Sequence, residues 1–324
     1  MIQRRTLLKS GAAAAALGAP ALSALAQQTV TLKFHTFMAP QSNVWINMHK
    51  AWMTKVEAES GGRIKFEGYP AMQLGGTPVQ LYDQAKDGVV DIVWTLPGNT
   101  AGRFPRVEVF ELPFMMSNAE ATSKAYWEYV QTMAPDEFKD VQVIALHVHG
   151  PGVIHTADKP VKTVGMPLPN IPDALSKGTI NGCVIPWEVV PSVKVQELTK
   201  YHAEFDPAGG ALYTTTFVMA MNKAKYNSLP PDLKKVIDNN SGLATSAWLG
   251  KVQQAGDAAG RQSAVGRGNT IFTVGPAEAQ EFRRKSRPIE AEWVEDMNKK
   301  GFDGRKLLDT ARALIEKNTK TTKS

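Results

Sequence analysis

The sequence predicts an α/β protein organised on a parallel, doubly wound sheet. Two strand–helix–strand successions follow one another between residues 30 and 94, the pattern that builds parallel sheets with helices on their faces. The last of these strands, Val89-Val90-Asp91-Ile92-Val93-Trp94, is almost unbroken apolar, as a strand covered on both sides is. At 324 residues the chain also exceeds what one core usually organises, so two domains or one elaborated domain are expected.

Val30 to Phe34 alternates apolar and polar residues and reads as a strand, followed by a loop from His35 to Gln41 that contains Pro40. Ser42 can cap the helix that follows, where Trp45, Met48, Trp52 and Val56 recur at helical spacing until Gly61-Gly62 ends the run. Ile64 to Tyr69 is the second strand. Thr77-Pro78-Val79-Gln80 has the capping-box pattern with proline at the first helical position, predicting a helix to about Lys86. Residues 102 to 114 are irregular and aromatic, and Ser117 or Asn118 starts a helix through Tyr126, Trp127 and Val130. Val141 to His149 and Ala211 to Met221 read as further strands. Leu229-Pro230-Pro231 opens a long helical region to about Gly266, and a last one from Pro276 is broken at Gly301-Phe302-Asp303-Gly304.

Arg4-Arg5-Thr6-Leu7-Leu8-Lys9, the Ala-rich run from Gly11 and the small residues Ala24-Leu25-Ala26 form a twin-arginine-type export signal over residues 1–26, with a periplasmic destination. The run is short and Ala-dominated for a membrane anchor, and no later stretch approaches the length of a span. Its removal takes away Arg4, Arg5 and Lys9 and no acidic residue, so 37 basic against 31 acidic residues becomes 34 against 31. A nearly neutral chain with interleaved charges is not built to bind nucleic acid. The polar, basic residues 317–324 read as a frayed tail. Cys183 stands alone, so no internal disulfide is available, and its expected role is that of a small buried residue.

Asn181 to Pro191 is the stretch that bears most on function. Here Trp187 and Glu188 sit side by side on a Pro-bounded loop beyond a strand end, where open α/β sheets place ligands. The competing assignment is a buried Trp beside a solvent-exposed Glu. A second feature, His147-Val148-His149 with His155, puts two imidazoles on one strand face, the start of a metal-dependent hydrolase site. The other histidines lie in no comparable motif, and nucleophile elbow, phosphate loop and paired-carboxylate motifs are all missing, so a binding protein is expected over an enzyme.

Taken together, Tyr69-Pro70, Gln73-Leu74-Gly75-Gly76, Gly88 with Asp91, Gly102-Arg103-Phe104-Pro105, Leu112-Pro113-Phe114, Gly182 with Pro186-Trp187-Glu188, Asn222 to Pro230 and Gly301 to Leu307 resemble the TRAP transporter solute-binding proteins of the C4-dicarboxylate-binding type. The resemblance implies a two-lobed periplasmic binding protein fold, type II-like, with a hinge and a long cross-lobe helix. Residues 27–150 would form mainly the first lobe, 151–240 mainly the second, and 241–324 the long helical regions. It implies capture of an organic acid, a 2-oxo, 2-hydroxy or aromatic monocarboxylate, and its delivery to the transporter's membrane subunits. His35, Phe37 and Trp94 would line one wall, and His149 to His155, Trp187, Glu188 and Tyr213 or Thr214 the other. No cofactor is required, but in relatives with a Trp-Glu pair the Glu helps hold a metal ion, often sodium, that bridges to the substrate. Glu188 and the Trp187 carbonyl suit sodium or calcium, since hard cations prefer oxygen ligands.

The family pattern also carries a strand and helix, with the arginine that grips the substrate carboxylate, before the counterpart of Gly165-Met166-Pro167. This sequence runs from Val164 straight to Gly165, leaving the second lobe incomplete. Losing a buried guanidinium–carboxylate pair costs about 2–5 kcal/mol. Arg103 is the candidate substitute anchor, although an ion-pair role in its turn suits it better, and Arg106 is similar. Ile185 stands where sialic-acid-binding relatives place an Asn. A truncated binding protein with weak or no ligand binding is the alternative that the gap raises.

Overall fold

The computed structural model describes residues 29–158 and 165–322. The export signal, the junction at Lys159 to Val164 and the last two residues of the tail lie outside the described residues. The described strands are β1 (Val30–Thr36), β2 (Ile64–Tyr69), β3 (Ile92–Thr95), β4 (Val141–Val148), β5 (Gly152–Thr156), β6 (Gly182–Pro186), β7 (Tyr201–Phe205), β8 (Thr216–Asn222) and β9 (Thr270–Val274). They form two sheets, ordered β2-β1-β3-β8-β4 and β6-β5-β7-β9, one for each lobe.

In the first sheet β1 pairs parallel with β2 and β3, as the two strand–helix–strand units predict. The expectation of a wholly parallel sheet is corrected by β8, which runs antiparallel to both β3 and β4. Its seven residues are all buried, and it enters between its neighbours because the chain returns here from the second lobe, with no crossover helix beside the sheet to reverse its direction. In the second sheet β5 is antiparallel to β6 and β7, and β7 is parallel to β9.

Local signals position these elements. The Ser42 hydroxyl accepts from the Trp45 N–H at 3.1 Å, opening the helix that runs through Val44–Lys50 and Ala51–Glu59. Asn118, rather than Ser117, caps the helix Ala119–Met133, accepting from Ala121 N–H at 2.9 Å. Thr77 and Gln80 close a reciprocal capping box before the helix Leu81–Lys86. Gly88 and Gly178, with φ of +76° and +66°, end the short helices before β3 and β6. Only glycine takes this backbone without strain.

The two sheets differ here. β3 lies between an antiparallel strand and the parallel β1, whereas β6 has its antiparallel partner β5 and, among the described residues, no strand on its outer side.

The helices Gly242–Ala255 and Asp257–Gly266 meet at Gly256, whose backbone stays in the helical region, and together they cross both lobes. The first packs on helix Ala119–Met133 and β4, the second on the turn Trp187–Val193. A Cβ on Gly250 would lie 2.6 Å from the Ala119 carbonyl oxygen, and one on Gly260 would lie 1.8 Å from that of Trp187. Bare backbone is therefore what lets this helix dock on each lobe. The tail expected to fray is instead helical in Gly304–Thr322. Leu307, Leu308, Ala311 and Ile315 bury one face of it, and Lys317 pairs with Glu128 at 2.9 Å.

Candidate functional site

A cavity of about 170 Å³ opens between the lobes where the crossing helix bridges them. The first lobe supplies Phe37, Trp94 and Phe217 to its wall. Trp94 and Phe217 stack with centroids 4.4 Å apart and planes at 11°, and Phe37 packs on Trp94 at 5.4 Å. The stack is held from behind. Trp94 Nε1 donates to His147 Nε2 at 2.7 Å, which fixes that imidazole as an acceptor on the first lobe's core side. His147 is fully buried and burial holds its pKa down to about 3, so it is neutral and its indole partner is locked in orientation. The second lobe supplies Val184, Ile185 and Pro186 of β6, with Leu168 and Ile171 before them.

Polar groups in this lining are few: Asn99, His149, Glu188, Tyr213, Thr215 and Gln253. Among the described residues the lining contains no lysine or arginine. The Tyr213 hydroxyl donates to the Val184 carbonyl at 2.8 Å, and a Cβ on Gly152 would overlap the Tyr213 ring, so Gly152 makes room for it. Glu188 is 4% exposed. Its Oε1 accepts from Gln253 Nε2 at 2.8 Å, and its backbone N–H donates to Asp257 Oδ1 at 2.9 Å. Its other oxygen, Oε2, is buried without a hydrogen-bond partner, as is Gln253 Oε1. Burial, with Asp257 adding to it, pushes the Glu188 carboxyl up to about 8; burial likewise raises Asp257, to about 7.

Of the residues singled out in the sequence, Phe37, Trp94, His149, Glu188 and Tyr213 converge on the cavity. Trp187, Thr214 and Arg103 are placed elsewhere. Trp187 is turned into the second lobe, where Nε1 donates to Glu204 Oε2 at 2.8 Å and the ring packs on His155 and His202. The turn that follows Pro186 points adjacent side chains in different directions, so Glu188 faces the cavity while its neighbour fills the core. Neither sequence alternative for the pair describes this: the Trp is buried, and so is the Glu. Thr214 stands behind His149, donating to its carbonyl at 2.8 Å. Arg103 pairs with Asp83 at 2.9 Å over the Tyr82 ring, and Arg106 is buried on Glu137 and Asp136. Both are structural ion pairs. His35 bonds Gln84 and the Leu74 N–H, holding the loop that carries Phe37.

His155 and His202 form a second buried polar group. His155 Nε2 lies 3.1 Å from the Ile185 carbonyl and must donate to it, so His155 Nδ1 accepts from His202 Nδ1 at 2.6 Å. His202 Nε2 then accepts from Asn269 Nδ2 at 3.0 Å. Both rings are thereby fixed neutral.

The arrangement does not fit a cation held by Glu188 and the Trp187 carbonyl. That carbonyl is packed on Gly260 of the crossing helix, away from the cavity, and among the described residues no group of three or more His, Cys, Asp and Glu could hold a metal ion. His147 and His149 likewise form no dyad, since His147 is committed to Trp94 and His149 Nδ1 to the Gly150 carbonyl. Cys183 is buried, and burial raises its thiol to about 12, the inert role expected of it.

Phe217, Gln253 and Asp257 were not anticipated. Gln253 and Asp257 lie on the crossing helices among Gly250, Gly256 and Gly260, and that glycine spacing was the available signal: polar residues between close-docking glycines are polar residues turned inward.

Comparison with known proteins places these features. The model of bacterial extracellular solute-binding protein family 7 matches in two pieces, residues 35–165 and 161–296. A TRAP solute-binding protein from Rhodoferax ferrireducens, solved with copurified benzoate, is 69% identical with a TM-score of 0.89, over 91% of this chain and 100% of that one. A marine metagenome TRAP solute-binding protein specific for aromatic acid ligands, solved with 3-hydroxybenzoate, is 45% identical with a TM-score of 0.87, over 90% and 99%. The outer membrane transporter protein TsaT of Comamonas testosteroni is 25% identical over 93% of this chain and 96% of its own.

Proposed function

The chain belongs to the bacterial extracellular solute-binding proteins of family 7, and from that premise we propose that it captures an aromatic monocarboxylate between its lobes for delivery to the membrane subunits of a TRAP transporter. It is a TRAP-type solute-binding protein and not an enzyme. The observation that carries the aromatic reading is the stack of Trp94, Phe217 and Phe37 facing the apolar edge of β6 across the cavity. A planar ring entering there meets aromatic faces from one lobe and aliphatic side chains from the other, and a ligand touched by both lobes favours the closed state. Offset ring contacts contribute about 0.5–1.5 kcal/mol each beyond burial of their area. Benzoate and 3-hydroxybenzoate, held by the two similar proteins, have this shape.

Phe37, Trp94 and Phe217 would then hold the ring, with Glu188, His149, Tyr213 and Gln253 at the polar end. The twin-arginine signal supports a periplasmic site of action. The test is a thermal shift and calorimetry panel of benzoate, 3-hydroxybenzoate, mandelate, pyruvate and succinate, with and without sodium. A raised melting temperature with the aromatic acids alone is the expected result, since a ligand that binds only the folded state stabilises it. A larger shift with succinate or pyruvate overturns the aromatic reading. No shift with any acid favours a truncated protein that no longer binds, which the absence of a cationic side chain among the described residues of the lining would explain.

A further inference from the structure

We propose that His149 selects ring-hydroxylated aromatic acids: its Nε2 is a fixed acceptor that opens on the cavity and takes the O–H of a phenolic hydroxyl on the captured ring. This rests on the reading of the cleft as an aromatic-acid site and names the substituent that the site prefers.

The tautomer follows from the neighbours of the other ring nitrogen. His149 Nδ1 is bonded to the Gly150 carbonyl, which can only accept, so Nδ1 carries the proton. The Thr214 hydroxyl gives its own proton to the His149 carbonyl at 2.8 Å, so its oxygen, 3.3 Å from Nδ1, is a second acceptor there. Burial favours the neutral ring. In a neutral imidazole protonated on Nδ1, Nε2 has a lone pair and no hydrogen.

That lone pair is open. Among the described residues no group bonds Nε2, yet the atom is not sealed away as both ring nitrogens of His49 and Nδ1 of His147 are. His149 is 3% exposed and lines the cavity, its ring packed on Tyr213 and Phe217, so the surface that Nε2 keeps belongs to the cavity. The donors of two neighbouring lining residues are spent on the protein. The Tyr213 O–H goes to the Val184 carbonyl at 2.8 Å, and a Gln253 N–H goes to Glu188 at 2.8 Å. The partner of Nε2 comes from what enters the cavity.

Ring geometry narrows that partner. The planes of His149 and Phe217 meet at 60° with centroids 5.9 Å apart, whereas Phe217 lies flat on Trp94. A ligand ring laid along this stack has the imidazole at its edge, and substituents of a planar ring project from its edge. A hydroxyl there meets the lone pair as donor to acceptor; a carboxylate in the same place meets it as acceptor to acceptor. A phenol, with a pKa near 10, keeps its proton at neutral pH.

The test is calorimetry of the full protein with benzoate, its 2-, 3- and 4-hydroxy derivatives and the 3- and 4-methoxy ethers, from pH 6 to 7.5. The 3- or the 4-hydroxy acid should bind about threefold to tenfold more tightly than benzoate, the scale of one hydrogen bond. The 2-hydroxy acid, whose O–H is bonded to its own carboxylate, should gain nothing. The methyl ether of the preferred acid should fall below benzoate, because it sets an oxygen lone pair against Nε2. His149→Asn keeps a donor where Nδ1 stands and has no atom at Nε2, so the ratio of hydroxy acid to benzoate affinity should drop to about one, whatever the absolute affinities. His149→Gln, whose amide oxygen reaches the Nε2 position, should restore part of that ratio. Hydroxy acids no tighter than benzoate on the wild-type protein overturn the inference, with no variant needed, and leave the aromatic reading standing. A ratio that survives in His149→Asn places the hydroxyl elsewhere and also overturns it. Benzoate affinity that climbs as pH falls, with uptake of a proton that His149→Asn abolishes, overturns it in favour of an imidazolium facing the carboxylate. Failure of every acid, with a cooperative melt intact, overturns both readings.

Discussion

The backbone N–H of Glu188 donates to Asp257 Oδ1 at 2.9 Å, so the turn after β6 in the second lobe is fastened to the first residue of the crossing helix beyond Gly256. The same helix, one turn on, lies bare against the Trp187 carbonyl at Gly260. Any change in how the lobes sit at this helix must therefore move the Glu188 carboxyl relative to the aromatic stack.

Gly260→Ala tests that docking. A methyl group 1.8 Å from the Trp187 oxygen cannot be accommodated without shifting backbone, and overpacking of this kind costs about 1–3 kcal/mol. A lower midpoint in urea and weaker benzoate binding are expected together. An unchanged midpoint would mean that the helix does not sit this close.

Phe37→Ala removes one ring of the cavity stack while leaving Trp94 on Phe217. Affinity for benzoate should drop about tenfold to a hundredfold, or about 1.4–2.8 kcal/mol, with Phe37→Leu intermediate. Calorimetry reads this, and equal binding by all three would remove Phe37 from the site.

Arg103→Ala discriminates the candidate carboxylate anchor from the ion pair with Asp83 at 2.9 Å. The pair is partly exposed, so stability should fall by no more than about 1 kcal/mol, and benzoate affinity should stay within about twofold of wild type. A loss of tenfold or more would return Arg103 to the cleft.

Trp187→Phe keeps an aromatic body in the second-lobe core but removes the N–H that Glu204 accepts at 2.8 Å. Hydrogen bonds to charged groups contribute about 1.5–3 kcal/mol, so the melting temperature should fall measurably. Direct contact between Trp187 and the ligand would instead show as a large affinity loss with stability preserved.

Acid should unfold the protein steeply. Burial holds His147 and His155 at about 3, His149 and His202 at about 4, and His49 well below its ordinary value. The unfolded chain takes up protons near pH 6.5 that the native state refuses. Nothing is lost above that pH; below it each fully buried ring removes about 1.4 kcal/mol of stability per pH unit. The raised carboxyls of Glu188 and Asp257 act oppositely: they keep protons that the unfolded chain releases above about pH 4, so their contribution to stability declines as pH rises toward 7 to 8. Burial also raises Glu108, Glu111 and Glu137 and lowers His35, but strongly shifted imidazoles outnumber strongly shifted carboxyls, so stability should fall from pH 6.5 to pH 5. Melting temperatures equal at pH 5 and pH 6.5 would sink this account.

Local chemistry made much of the first lobe legible in advance. Ser42, Asn118, the Thr77–Gln80 box and Gly88 act on backbone groups within a few residues of themselves, so they mean the same thing before and after folding. Glu188 was reachable from its place beyond a strand end, whereas Phe37, Trp94, His149 and Tyr213 were reachable only through the family resemblance. Trp187 misled because adjacency in a turn carries no information about which lobe a side chain enters. Gln253 and Asp257 escaped because a helix read by its apolar period gives its polar residues to solvent, and only the second lobe's turn, more than sixty residues earlier in the chain, makes them interior.

By itself the sequence did not mark β5, β7 or β9 of the second sheet, but it determined an α/β chain, most of the strands and helices of its first lobe and the family pattern. These are properties of residue type, spacing and count. Only the tertiary structure decided that β8 returns antiparallel to the first sheet, that β6 is the edge of the second among the described residues, and that Trp187 and Glu188 part company. It also showed that Glu188 is buried against Gln253 and Asp257 of the crossing helices. Each of those depends on which distant segments are brought together, and burial then sets the charge of Glu188, which no reading of neighbouring residues along the chain could supply.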